Sequence, residues 1–262
     1  MLKKFLVIIV TTLALTLNVL AGTDGELILK KNEPSEIKDC SEKFNRATFA
    51  FNQVLDGAIF KPVATVYRKL PSPLRTGVGN SLDNLSNLIT IPNNVIQGDF
   101  AKAGLNTGRF VLNTTVGILG IFDVAQQFGL QEYEKEDYGQ SLAKHGFGPG
   151  CYIVLPVLGP STARDTIASV ANFTGGDAWY NVTVKNDTQY FSEIDYYSSK
   201  LTSGVDFRAK NFNAIENLEK NSLDFYSSVK SLYLQDRQQK ILNTKKIIET
   251  QNDSDWEEIE NN

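Results

Sequence analysis

The stretch of the chain nearest in character to a membrane helix, residues 99–122, is too short and too interrupted to be one. Its apolar side chains, Phe110, Val111, Leu112, Val116, Ile118, Leu119, Ile121 and Phe122, crowd into 13 residues. A bilayer-spanning helix needs roughly 20. Asn113, Thr114 and Thr115 break the run, and Gly117 and Gly120 weaken any helix within it. The segment therefore either packs tightly in a core or lies along an interface, and the sequence leaves both open. Gly104 and Gly108, four residues apart, offer a place where another backbone can approach.

Helical periodicity surrounds this stretch. Phe44, Ala47, Phe51, Leu55 and Ile59 recur at steps of three and four, which predicts one buried stripe along a helix reaching Pro62. Phe44 begins that stripe, and Asn45 and Arg46 are placed to bind neighbouring backbone or carboxylates. Ser72-Pro73 reads as an N-cap and a first-turn proline, opening a second helix with Leu74, Val78, Leu82 and Leu85 on one side. After the acidic residues 132–137, Gly146-Phe147-Gly148-Pro149-Gly150 cannot continue a helix and predicts a turn or hairpin. The apolar run Tyr152, Ile153, Val154, Leu155, Val157 and Leu158 contains Pro156, which disfavours an internal strand, so a buried or lipid-facing loop is expected. Thr162 with Asp165 predicts a capping box. Residues 174–187 read as loop, and residues 205–242 as one long helix burying Ile215, Leu218, Ser222, Phe225, Val229 and Leu232.

The N-terminus reads as an export signal, residues 1–21: Lys3 and Lys4, an apolar run, then Val19-Leu20-Ala21 at the cleavage positions. Its apolar run is again short for a membrane anchor, the competing interpretation. Cleavage would take the formal charge from -4 to -6. Residues 22–40 are polar and without period, a flexible leader; 41–242 form the helical domain; 243–262 are an acidic tail expected to be disordered. With 42% hydrophobic and 21% charged residues the chain can bury a core in a single domain. Its acidic balance, with scattered lysines and arginines, argues against a nucleic-acid partner.

Chemistry finds little support. Gly139-Gln140-Ser141-Leu142-Ala143 resembles a degraded nucleophile elbow, but the single histidine, His145, lies four residues after Ser141, whereas hydrolases need a distant histidine that folds back. One histidine and two cysteines 111 positions apart offer no metal cluster, and Gly146 to Gly150 lacks the Lys-Ser/Thr of a phosphate loop, so no catalytic residue, metal or cofactor is assigned. Arg46, Arg109 and Arg164 with Asp165 sit in apolar surroundings. Each guanidinium can hold helix ends through several hydrogen bonds or meet a lipid phosphate.

Residues 42–165 carry the motifs FNRATFAFN, LDGAIFKPVA, YRKLPSPLRTGVGN, TGRFVLNTTVGILGIFD and EDYGQSLAKHGFGPGCYIVLPVLGPSTARD, and a weaker echo follows in SLDFY and SLYLQDR. In order and spacing this series resembles the MlaA (VacJ) family of outer-membrane phospholipid-transport proteins. The resemblance implies a mainly α fold: a single ring-like helical domain with amphipathic helices and an apolar hairpin or loop. It implies a location at the periplasmic face of a Gram-negative outer membrane. The function implied is removal of misplaced phospholipid from the outer leaflet through an amphipathic channel to a periplasmic carrier, with an outer-membrane porin as partner and no bond made or broken. Phe147, Tyr152, Ile153, Leu155, Val157 and Leu158 become candidates for the lipid path. Phe44, Asn45, Arg46, Arg109, Asn113, Gly117, Gly120, Asp123, Gly148, Pro149, Gly150, Arg164 and Asp165 become motif residues of structural or functional weight.

Two departures stand out. Family members usually carry a lipidated cysteine after a Leu-Ala-Gly box, where this chain has Leu20-Ala21-Gly22-Thr23. A soluble periplasmic lipid-binding or adaptor protein is therefore the alternative. Cys40 and Cys151 stand where the family commonly has proline. Either they pair in an oxidising compartment, a cross-link taking over each proline's restraint, or they remain two free thiols.

Overall fold

The computed structural model describes residues 37–131, 134–172, 176–184 and 192–242. The export signal, most of the leader and the acidic tail lie outside these residues. Residues 37–40, assigned to the leader above, belong to the folded unit. The Lys38 carbonyl accepts from the Tyr152 N–H at 3.0 Å, and Ile37 packs on the buried aromatic cluster.

Helix α1 (Glu42–Leu55) forms where its periodicity predicts, with the opposite face inward. Asn45, Thr48 and Phe49 are buried; Phe44 is 64% exposed, Ala47, Phe51 and Ile59 also point outward, and Leu55 is half-covered. The cause is the Asn45 amide, which donates to the Tyr152 carbonyl at 3.0 Å and accepts from the Val154 N–H at 2.9 Å. A buried strand edge must have its backbone groups satisfied, and turning Asn45 to it swings Phe44 out by one helical step. Phe44→Ala is accordingly expected to cost under about 1 kcal/mol in urea unfolding, not the roughly 3–5 kcal/mol of a buried phenylalanine. A loss of several kcal/mol would mean that the ring is packed.

Pro62 does not end the helix. A π-turn over Asp56–Phe60 leads without a break into α2 (Lys61–Tyr67), and this widened turn lies directly before Pro62, which has no N–H to donate to it. In α3 (Ser72–Ile96) the N-cap is Pro71, so Ser72 is helical and caps nothing. The buried line of α3 is Gly77, Gly79, Asn84, Asn87, Thr90, Asn93 and Asn94, whereas Leu74 is exposed and Val78, Leu82 and Leu85 are only partly covered. Helix α4 (Phe100–Thr115) packs along α3 and buries Ala103, Asn106, Arg109 and Asn113. Among the described residues no helix is long and apolar enough to cross a membrane.

The close backbone approach expected at Gly104 and Gly108 occurs elsewhere. A Cβ on Gly104 would meet nothing and one on Gly108 only the tip of Leu130. On Gly117 it would overlap the Phe122 carbonyl, and Gly120, at φ +88°, lies against the Asn84 side chain. Short helices α5 (Val124–Gln127) and α6 (Tyr138–Lys144) follow, capped by the carboxylates of Asp123 and Asp137.

The glycine-rich run 146–150 turns the chain, and the apolar run becomes an antiparallel hairpin. Strand β1 (Tyr152–Leu155) pairs with β2 (Gly159–Thr162), from Tyr152 opposite Thr162 to Leu155 opposite Gly159. Pro156 falls just past the last paired residue, consistent with its missing donor. Thr162 then caps α7 (Ala163–Ala171), accepting from the Asp165 N–H at 3.2 Å.

Two readings of the C-terminal half need correction. Within the span expected to be loop, α8 (Ala178–Thr183) is helical, capped by Asp177. The single long helix is three: α9 (Glu193–Lys210), α10 (Phe212–Asn221) and α11 (Phe225–Leu242). Breaks at Asn211 and at the extended Ser222 reset the register, so the proposed stripe is not one face, and Leu232 is exposed. The core joins α1, the hairpin and α11 through Phe49, Tyr152, Val154 and Tyr226. Phe49 and Tyr152 meet the Tyr226 ring edge-on at centroid distances of 5.5 and 6.1 Å.

Candidate functional site

The distribution of polarity is inverted. Among the described residues twenty polar or charged side chains are buried against eleven apolar ones, while thirty large apolar side chains are exposed. Single exposed apolar residues are ordinary, but contiguous ones mark a surface that meets something other than water. Phe51, Val54, Ile59, Val63 and Val66 follow one another along α1 and α2, and Val116, Ile118, Leu119, Ile121 and Phe122 cluster after α4. At about 25 cal/mol per Å² of apolar surface, covering such an exterior with an apolar partner or phase would be favourable.

The interior is correspondingly amide-lined. Asn80, Asn84, Asn87, Thr90 and Asn94 recur at steps of three and four on α3, the signal that hydrophobic patterning alone passes over. Asn106 donates to Asn94 at 2.8 Å, Asn84 to the Thr114 hydroxyl at 2.8 Å, and Ser141 to Asn93 at 2.6 Å. Glu136 accepts from Gln97 at 2.9 Å and Gln140 at 2.8 Å, and burial pushes its carboxyl above the ordinary range. Ser141 thus belongs to this network, and the His145 ring lies on the Ser141 backbone carbonyl at 2.8 Å, not on its hydroxyl.

Where α3 and α4 diverge, Asn80, Asp83, Asn84 and Asn87 line a small recess with Arg109, Asn113, Asp123 and Lys135. Arg109, almost wholly buried, donates to Asp123 at 2.8 Å and to the Leu130 carbonyl; Asn113 donates to the other Asp123 oxygen at 2.9 Å and accepts from the Ala125 N–H. Burial would raise the Asp123 carboxyl, but these hydrogen bonds hold it low. Gly117 and Gly120 close the turn between these partners, so the motif residues from Arg109 to Asp123 form one unit.

The other arginines also hold the frame. Arg46 reaches Asp224 with two donors at 3.1 and 2.7 Å, pairs with Glu42 at 2.7 Å, and lies over the Tyr226 ring. Arg164 donates to Asp165 at 3.0 Å and to the Phe147 carbonyl at 3.3 Å. Three partners went unassigned from the sequence. Arg237 forks onto Asp137 and Asp165, Arg208 onto Asp56 and Glu216, and Asp39 takes bonds from Asn45 and Tyr226. Arg237 lay inside a weak motif echo, and only the fold brings it to carboxylates 72 and 100 residues away.

The lipid-path candidates separate. Tyr152 is in the aromatic core beside Val154, Ile153 and Leu155 are half-covered, and Phe147, Val157 and Leu158 are exposed. Exposure of the tip follows from Val157, at φ +67°, whose N–H is held by Asn52 at 2.8 Å. In the adjoining turn the Pro149 carbonyl accepts from the Arg164 N–H at 3.2 Å. Gly150, at φ +67°, lies against Ala163, and Gly148 faces open space. Cys40 and Cys151 are joined, with Cα atoms 5.6 Å apart, tying residues 37–40 to the base of the hairpin.

A family model described as "MlaA lipoprotein" matches residues 37–240. The chain is 34% identical over 205 residues to an uncharacterized protein of Rickettsia bellii, covering 78% of this chain and 76% of that one. It is 33% identical over 201 residues to the "Intermembrane phospholipid transport system lipoprotein MlaA" of Shigella flexneri, covering 75% and 76%. With the protein of the same description from Haemophilus influenzae it shares 30% over 219 residues, covering 82% and 84%. A solved structure described as "Structural basis for maintenance of bacterial outer membrane lipid asymmetry" superposes with a TM-score of 0.65 at 30% identity, covering 78% of this chain and 98% of that one. With its mainly helical architecture, this chain belongs to the MlaA lipoprotein family.

Proposed function

We propose that this protein is the outer-membrane component of an intermembrane phospholipid transport system. In this reading it sits in the inner leaflet, takes misplaced phospholipid from the outer leaflet along an amphipathic passage, and hands it to a periplasmic carrier, aided by a porin. The observation that carries the reading is the inversion of polarity: an apolar exterior suits immersion in acyl chains, and an amide-lined interior offers polar groups to lipid headgroups. Relatives described as transport lipoproteins support it. The soluble-adaptor alternative rests on Thr23 in place of a lipidated cysteine, but so wide an apolar exterior disfavours a freely soluble state.

The test uses a Gram-negative strain lacking its own family member, with outer-leaflet aminophospholipid read by an impermeant amine-reactive reagent. The wild-type chain, floating with outer membrane on fractionation, is expected to lower the labelling to that of the parent strain. Normal localisation without any drop in labelling would refute the transport reading. Leu158→Asp, at the exposed hairpin tip, is expected to abolish the drop while changing stability by no more than about 0.5 kcal/mol, as for a surface site. Full transport by that variant would remove the tip from the lipid path.

A further inference from the structure

We propose that the turn between α2 and α3 is a docking surface for anionic phospholipid at the membrane boundary, its phosphates held by Arg68, Lys69 and Arg75. The proposal rests on the transport reading and names the lipid charge that this end of the molecule recognises. Its first support is the pairing of charges. Arg46, Arg109, Arg164, Arg208 and Arg237 each hold a carboxylate. The remaining two arginines of the chain, Arg68 and Arg75, flank one turn. Among the described residues neither they nor Lys69 between them pairs with a carboxylate. The charges that adjoin the turn through Phe212 and Tyr67 cancel: Arg208 and Lys61 meet Asp56 and Glu216, and Lys210 meets Asp206. Uncompensated positive charge is thus left at one turn of a chain whose formal charge is -4.

The second support is how the two guanidiniums are presented. Arg68 stacks on Phe212, its Cζ 4.4 Å from the ring centroid, and Arg75 is fixed through Nε, which donates to the Leu70 carbonyl at 3.1 Å. The terminal nitrogens of Arg75 have no partner among the described residues. Each arginine is therefore held by a contact that leaves donors for a phosphate, the group a guanidinium meets with two parallel bonds. Helix stability does not account for Arg75. It lies in the first turn of α3, the end at which the helix dipole disfavours a cation.

The third support is the setting. Val63 and Val66 on α2, Leu70 in the turn and Leu74 on α3 are all exposed, so the cations stand where the apolar stripe of α1 and α2 ends. A bilayer boundary offers both halves of the match, acyl chains for the stripe and phosphates for long cationic side chains that reach out of it. An acidic protein segment would satisfy the charges and leave the stripe in water, and a soluble phosphate ester would do the same.

The full protein, purified in detergent, is equilibrated at low salt with micelles holding equal amounts of phosphatidylglycerol and phosphatidylcholine, and the retained lipid is identified by native mass spectrometry. The wild type is expected to favour phosphatidylglycerol by about five- to tenfold, the scale of one charge at an anionic surface. The triple variant Arg68→Gln, Lys69→Gln, Arg75→Gln should bring the ratio near one while phosphatidylcholine retention stays at the wild-type level. Lys69→Gln alone should lower the ratio with an unchanged thermal midpoint, since Lys69 is exposed and has no partner in the fold to lose. Lys240→Gln, the same loss of charge on α11, should match the wild type. Inorganic phosphate should displace no more phosphatidylglycerol than chloride of equal ionic strength; greater displacement would reassign the turn to a free phosphate and overturn the lipid surface. A wild type that retains both lipids equally would hand the patch to an acidic protein partner. That result, or a folded triple variant that keeps the preference, overturns the proposal and leaves the transport reading standing. A wild type that retains no phospholipid overturns both.

Discussion

Arg237→Ala is expected to lower stability by about 3–5 kcal/mol, the loss typical of removing one partner from a buried ion pair. The guanidinium lies between α6 and α7, with bonds of 2.9 Å from Nε and Nη2 to the two Asp165 oxygens and of 2.6 and 2.7 Å to Asp137. Asp165 is buried and keeps Arg164 and Tyr233 as partners at 3.0 Å each, but truncation removes its two-donor fork and leaves Asp137 without its guanidinium. Lysine would not restore the site, because a single ammonium cannot reproduce the two-sided fork. Burial alone would raise the Asp165 carboxyl, but Arg237 and Arg164 hold it below its ordinary value. A depressed acid stabilises the fold above the unfolded value of about 3.9, and that stability is lost as pH falls through the depressed value. Urea midpoints measured by circular dichroism from neutral pH downward should therefore fall below about pH 4 in the wild type, from a level the variant never reaches. A loss under about 1 kcal/mol at neutral pH would show that the fork is not a structural centre.

Reduction of the Cys40–Cys151 bridge, or Cys151→Ser, is expected to remove up to about 4–5 kcal/mol, since the bond closes a loop of 111 residues in the unfolded chain. The Cα separation of 5.6 Å lies within the range a disulfide spans without moving backbone. The loss should show as a lower urea midpoint for protein treated with dithiothreitol than for the oxidised form. Equal midpoints, or two free thiols titrated in protein taken from the periplasm, would contradict the bridge.

What the sequence disclosed and what it concealed have one physical origin. Helix positions follow from local periodicity, and α1 and α3 lie where their repeats place them. Phe44 and Leu74 face outward because the polar residues beside them, Asn45 on α1 and the asparagines of α3, take the inward positions. The alternation of Asn84, Asn87 and Asn94 with the leucines of α3 carries this answer. Motif order disclosed Arg109, Asp123, Arg164 and Asp165, but not their partners, since the Arg237 pairs cross separations of 72 and 100 residues that no local pattern records. The two cysteines were legible as a pair in want of a distance, which the fold supplies. The Ser222 break is quieter: one extended residue resets a helical stripe with no proline or glycine to mark it.

The inverted polarity is tested most directly by photolabelling the protein in liposomes with a diazirine carried on a lipid acyl chain, mapping modified residues by mass spectrometry. Label is expected on Phe51, Phe100, Val111, Leu119, Phe122 and Leu158, which are exposed, and not on Phe49, Tyr152 or Tyr226, which are buried. Absence of acyl-chain label from those six, together with their modification by a water-soluble carbene reagent, would contradict a lipid-facing exterior.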